Sequence, residues 1–152
     1  MTRASLILDE FFQQFYRHRK ERRSGPYGAH YGFRTPEGHR YRVHISHDVY
    51  NPSEAEVSFA FIDPKVHSWP RYGVLGGRPD ALKIFSTVHH IMQRHMKDNP
   101  GLKTLHFTAY GQSRVKLYRR LLNHFSTKHG ERGDDSSMHF SVNREDIKEP
   151  IS

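Results

Sequence analysis

Apolar residues recur along this chain with two periods, and the switch between them sets out its elements. Leu6, Ile7, Leu8, Phe11, Phe12, Phe15 and Tyr16 return at three- and four-residue intervals, the spacing of one helical face. They predict an amphipathic helix over 5–22, closed by Ser24-Gly25-Pro26. From Tyr27 the chain reads as extended. Thr35-Pro36-Glu37-Gly38 forms a turn, and Tyr41, Val43 and Ile45 then alternate with Arg40, Arg42 and His44. After a second turn at Asn51-Pro52-Ser53, Val57, Phe59 and Phe61 alternate again. This is the pattern of an antiparallel meander with one face buried, over 33–62, and Tyr72–Leu75 would be a further strand.

The second half lengthens its period. Pro79 and Asp80 open a helix whose apolar face is Leu82, Phe85, Val88, His89, Met92 and Met96, and Asn99-Pro100-Gly101 ends it. Leu102, Leu105, Phe107 and Ala109 predict a strand. A helix follows with Val115, Leu117, Tyr118, Leu121, Leu122 and Phe125 on its inner face and Ser113 as N-cap. Residues 130–137 read as a loop, Met138, Phe140 and Val142 as a last short strand, and 143–152 as a loose tail. The order predicts an α+β fold with a mostly antiparallel mixed sheet, flanked by helices, within a single domain of 152 residues.

Composition narrows the chemistry. Zero cysteines exclude disulfides, thiolate metal sites and a cysteine nucleophile. No apolar run is long enough to span a membrane and no leader-like segment opens the chain, so a cytoplasmic setting is expected. Lys and Arg number 24 against 16 acids, a net charge of +8. The charge is uneven, since 130–152 holds six acids and three bases and the rest of the chain is more basic still. Such a balance calls for an anionic partner: a phosphate-bearing cofactor, nucleic acid or an acidic protein surface. Two clusters would supply contacts to nucleic acid or a protein partner. One is Arg17, Arg19, Lys20, Arg22 and Arg23, and the other is Lys116, Arg119 and Arg120.

Local residues add a resemblance. The stretch Leu105 to Phe125, LHFTAYGQSRVKLYRRLLNHF, resembles the strand-and-helix segment of the GCN5-related N-acetyltransferase (GNAT) superfamily, whose helix carries an Ala-x-x-Leu-Tyr element, here Leu117-Tyr118. Element order over 33–142 is similar too. Both motifs are degenerate: Arg114 stands for the Ala, Leu122-Asn123 for the closing Gly-Phe, and the diphosphate signature lacks its leading residue before Gly76-Gly77. Small basic chains of this kind also look like phage or mobile-element proteins, which would place this one in a host cytoplasm.

The resemblance implies acyl transfer from acetyl-CoA or another acyl-CoA to an amine, with Tyr118 as the acid that protonates the leaving thiolate. Gly76 and Gly77 would let backbone amides approach the CoA diphosphate at the start of a helix, Arg78 would add a cation, and Ser113 and Arg114 would touch the cofactor. The same fold without the chemistry would be a basic binding protein, such as a phage structural or host-interaction protein. A general base is left open among His44, His47, Glu54, Glu56 and Asp63. No metal site is expected, because strand alternation sends His44 and His47 to opposite faces and His89 and His90 diverge on a helix.

Overall fold

The computed structural model describes residues 15–21, 28–62 and 81–149. The strands are β1 (His18–Lys20), β2 (Gly28–Arg34), β3 (Arg40–His47), β4 (Glu54–Ile62), β5 (Thr104–Tyr110), β6 (Gly130–Asp134) and β7 (Ser137–Asn143). The helices are α1 (Ala81–Asp98) and α2 (Gln112–Phe125). The strands form one sheet in the order β1-β2-β3-β4-β5-β7-β6, antiparallel except between β4 and β5.

Alternation in the sequence becomes one buried face through register. Tyr31 lies opposite Val43, Val43 opposite Phe59, Ala55 opposite Leu105, and Leu105 opposite Val142. All are buried on the same side, where α1 and α2 cover them with Ile84, Phe85, Val88, Met92, Leu121, Leu122 and Phe125. Each fully buried phenylalanine of this layer contributes about 1.5–3 kcal/mol of transfer free energy. The opposite face holds polar, half-exposed residues such as His30, His44, Ser58, His106 and His139. Among the described residues no helix is long and apolar enough to cross a membrane.

The sheet opens between its two parallel strands. β4 and β5 pair only from Glu54 with Thr104 to Glu56 with His106. Both strands continue, to Ile62 and Tyr110, without pairing further. They part beyond that point, while β3 stays paired to β4 along its whole length.

Several expectations need correction. The predicted helix over 5–22 does not reach its stated end, because His18–Lys20 is a strand paired with Tyr31–Phe33. There the backbone of 18–20 satisfies the outer edge of β2, and Glu21 N–H extends the match to His30 O at 2.7 Å. Residues 5–14, Arg22, Arg23 and the expected strand Tyr72–Leu75 lie outside the described residues. The expected loop over 130–137 is instead the hairpin β6–β7. β6 lacks apolar alternation because it is a fully exposed edge strand, held by backbone pairing and guarded by charge. Asp134 Oδ1 builds its turn by accepting from the N–H groups of Ser136 (2.9 Å) and Ser137 (3.2 Å).

The expected loose tail is pinned down as far as residue 149. Lys148 N–H donates to Phe125 O at 2.7 Å, its carbonyl accepts from His89 Nε2 at 2.7 Å, and Ile147 bridges Ser126. Gly111, at φ 91°, occupies the N-cap position of α2 in place of Ser113, with no side-chain cap. Leu82 faces solvent, since the buried stripe of α1 runs through Ile84, Val88, Ile91 and His95.

Candidate functional site

Tyr118 stands at the parting of the sheet. α2 carries its ring onto the buried face, edge-on to Phe107 (centroids 5.6 Å apart) and Phe140 (6.4 Å). The side chain is 1% exposed. Its hydroxyl accepts a hydrogen bond from Phe59 N–H at 3.4 Å. In an unbroken sheet a β5 carbonyl would take a β4 N–H on that edge; here the phenol oxygen takes it. The bond is long for N–H···O, so it is a weak one.

On the opposite face, at the neck of the parting, lies a chain of three polar side chains. Glu54 Oε1 accepts from His106 Nε2 at 2.9 Å, and His106 Nδ1 lies 2.9 Å from His139 Nε2. The carboxylate fixes the proton on His106 Nε2. A neutral His106 then presents a lone pair at Nδ1, which His139 Nε2–H fills. The three residues come from β4, β5 and β7. Of them, only Glu54 was among the expected bases. His106 and His139 were missed, although alternation against Leu105 and Phe107 already turned His106 outward.

The other candidate bases sit elsewhere. His44 stacks on His30 (4.3 Å between centroids), and burial, followed by His30 and Arg42, lowers its pKa. His47 Nε2 lies 2.7 Å from His95 Nε2, and His95 Nδ1 lies 2.8 Å from the Tyr31 hydroxyl. Glu56 is exposed at the neck, and Asp63 lies outside the described residues. Among the described residues no three or more His, Cys, Asp or Glu side chains converge as metal ligands.

Of the expected cofactor contacts, Ser113 and Arg114 occupy the first turn of α2, where β5 leaves the parting. Gly76, Gly77 and Arg78 lie outside the described residues. The two basic clusters are not brought together. Arg17, Arg19 and Lys20 are exposed on the β1 edge, and Arg22 and Arg23 are not described. Lys116 and Arg120 are exposed on α2, which packs on β5 and β7, four and five strands away from β1. Arg119 is held by Glu131 at 2.7 Å, and the Arg120 guanidinium lies over the Phe85 ring, 5.6 Å from its centroid.

The buried histidines give a pH prediction. Burial is the main cause that pushes His89 and His95 down to about 4, so both are neutral in the folded chain near neutrality. Unfolding returns them to about 6.5, where they take up protons more readily. Their folded pKa is depressed, so stability is full above pH 6.5 and falls as pH drops from 6.5 toward 4. Urea midpoints across that window should fall with decreasing pH, with these two rings contributing up to two of the protons taken up on unfolding and His18, also pushed down to about 4 chiefly by burial, adding to them. A flat profile would show that the two rings are already charged when folded.

No protein-family model matches the chain, and no curated protein matches it. Solved structures do. A point mutant of spermidine N-acetyltransferase SpeG from Vibrio cholerae aligns with a TM-score of 0.50 at 10% identity, over 79% of this chain and 68% of that one. RimL, a ribosomal L7/L12 α-N-protein acetyltransferase in complex with coenzyme A, aligns at 0.46 and 10% identity, over 77% and 62%. AAC(6')-Ib in complex with ribostamycin and coenzyme A aligns at 0.43 and 7% identity, over 78% and 65%. The described parting lies between β4 and β5. The strand order, that parting and the likeness to the spermidine N-acetyltransferase give this chain the mixed-sheet α+β fold of the GCN5-related N-acetyltransferases.

Proposed function

We propose that the chain is an acyl-CoA-dependent N-acyltransferase that acts on an amine. The observation that carries this reading is the pairing of Tyr118 Oη with Phe59 N–H at the point where β4 and β5 part. Beyond Glu56 the β4 backbone no longer pairs with β5, and a strand edge of that kind suits the amide-bearing arm of CoA. When bound, that cofactor supplies an acyl group activated as a thioester. Gly76, Gly77 and Arg78, which precede α1 in sequence, would hold its diphosphate, and Ser113 and Arg114, in the first turn of α2, would contact it.

The chain's own groups then divide the work. Phe59 N–H, which donates to the phenol, would be the donor available to an acyl carbonyl oxygen. In the Glu54–His106–His139 chain both His106 nitrogens are engaged, so His139 Nδ1 would be the atom that takes the proton shed by the amine. Tyr118 would supply its O–H proton to the leaving thiolate and recover it from solvent. The carbonyl would thus be flanked by the acid on the buried side of the sheet and the base on the open side.

Coenzyme A binding tests the reading. At a hundred times the Kd it adds about 2.7 kcal/mol of stability, and a chain of this size gains about 2–4 °C in Tm for each kcal/mol. A rise of about 5–10 °C in millimolar CoA is expected. Acyl transfer is then followed by thiol release, with no background because the chain has no cysteine. An unchanged Tm in millimolar CoA would overturn the proposal.

A further inference from the structure

The open face of the sheet carries a corner that acyl-CoA binding does not use. Arg19, Arg34, Arg40 and Arg42 share this face by register, and Arg17 precedes β1 beside them. Arg42 is spoken for, with Nε 2.9 Å from Glu21 Oε2. The Glu21 carboxylate lies over Gly32, where any Cβ would collide with it. No acid among the described residues lies within ion-pair distance of Arg17, Arg19, Arg34 or Arg40. Arg34 and Arg40 are also direct cross-strand partners, a like-charge pair that costs stability unless an anion lies between them. These four arginines line a cavity of about 570 Å³.

The corner's position connects it to the parting. Arg40 pairs with Ile62, so it lies at the end of the sheet where β4 and β5 have separated. At about 4.8 Å per strand, Arg40 stands one strand and Arg34 two strands from β4. An amine held at the parting can therefore place groups one or two residues away among these guanidiniums. Phe33 and Tyr41 line the same cavity but are 6% and 1% exposed, so they offer no ring face for stacking bases. Forked guanidiniums without stacking platforms suit carboxylates or phosphates on a peptide.

We propose that Arg17, Arg34 and Arg40 form the acceptor's oxyanion subsite, and that the acceptor is an acidic amine such as the N-terminal segment of an acidic peptide. This rests on the N-acyltransferase reading for the acceptor role. A polycation such as spermidine is repelled there.

The test compares the wild-type chain with the double variant Arg34→Gln/Arg40→Gln by calorimetry and by acyl transfer. Both substitutions are at exposed sites, and unchanged CoA affinity serves as the folding control. The probes are a short peptide bearing three glutamates, its counterpart bearing phosphoserines, spermidine, and a twelve-residue oligothymidylate. The expected result is that an acidic peptide binds the wild type at least tenfold more tightly than the double variant, with KM raised to match and kcat little changed. The two peptides separate carboxylate from phosphate as the preferred group. Equal peptide binding by both proteins would overturn the subsite, as would tighter binding of spermidine or oligothymidylate by the wild type. Failure of the N-acyltransferase reading would show separately, as loss of CoA binding in both proteins; peptide binding would still decide whether the corner is an anion site.

Discussion

Replacing Tyr118 by phenylalanine is expected to lower kcat for acyl transfer by about 100- to 10,000-fold, the range for removing a positioned acid. Only the hydroxyl leaves. The ring keeps its contacts with Phe107 and Phe140, so the packing that orients α2 on the sheet survives. The 3.4 Å hydrogen bond from Phe59 N–H is lost. Stability should therefore drop by only about 1–3 kcal/mol. CoA affinity should hold, or tighten slightly, because the amide no longer has to be released from the phenol. Steady-state rates and Tm together make the check. A variant with wild-type kcat would remove Tyr118 from the chemistry and leave it as a core residue.

The second large effect concerns stability and falls on Arg144, in what reads from sequence as a loose tail. Its guanidinium donates to Leu102 O at 2.6 Å, Met96 O at 2.9 Å and Asn99 O at 2.8 Å. It thus gathers the end of α1 and the approach to β5, and brings a cation to a helix C-terminus, where the dipole favours it. Arg144→Met removes three charge-assisted bonds; Met96 O and Asn99 O keep the backbone donors Asn99 N–H and Leu102 N–H, and Leu102 O loses the guanidinium. The site is only partly buried, so water recovers some of the loss. The expected cost is about 2–4 kcal/mol, or a fall of about 4–16 °C in Tm. Arg144→Lys should fall between, keeping the charge and losing the fork. A methionine variant as stable as wild type would mean that these carbonyls are satisfied by solvent.

Elements with strong alternation or helical period were legible in the sequence. Tyr41, Val43 and Ile45 in β3 and Met138, Phe140 and Val142 in β7 face the core as their spacing required. β6 was not legible, because an exposed edge strand needs no apolar residues and is fixed by its partner's backbone. β1 was hidden because Phe15 and Tyr16 continue a helical stripe, and only pairing with β2 makes a strand of 18–20. The site divides in the same way. Tyr118 could be singled out from its place after Leu117, but its partner Phe59 lies 59 residues earlier and depends on where β4 and β5 cease to pair. The Glu54–His106–His139 chain crosses three strands, and no local pattern encodes that register. The Arg34–Arg40 pairing was half visible, since the turn at 35–38 folds one against the other. Arg17 and Arg19 joined them only once β1 was a strand.

The proposed chemistry depends above all on coenzyme A lying in the parting of β4 and β5. Amide proton–nitrogen spectra of the labelled chain, recorded as CoA is added, address this at single residues. The Phe59 amide should shift strongly as its phenol partner is displaced, together with amides of 105–110, while those of β6 and β7 barely move. Saturating CoA that leaves the Phe59 amide unmoved would place the cofactor elsewhere and remove the site.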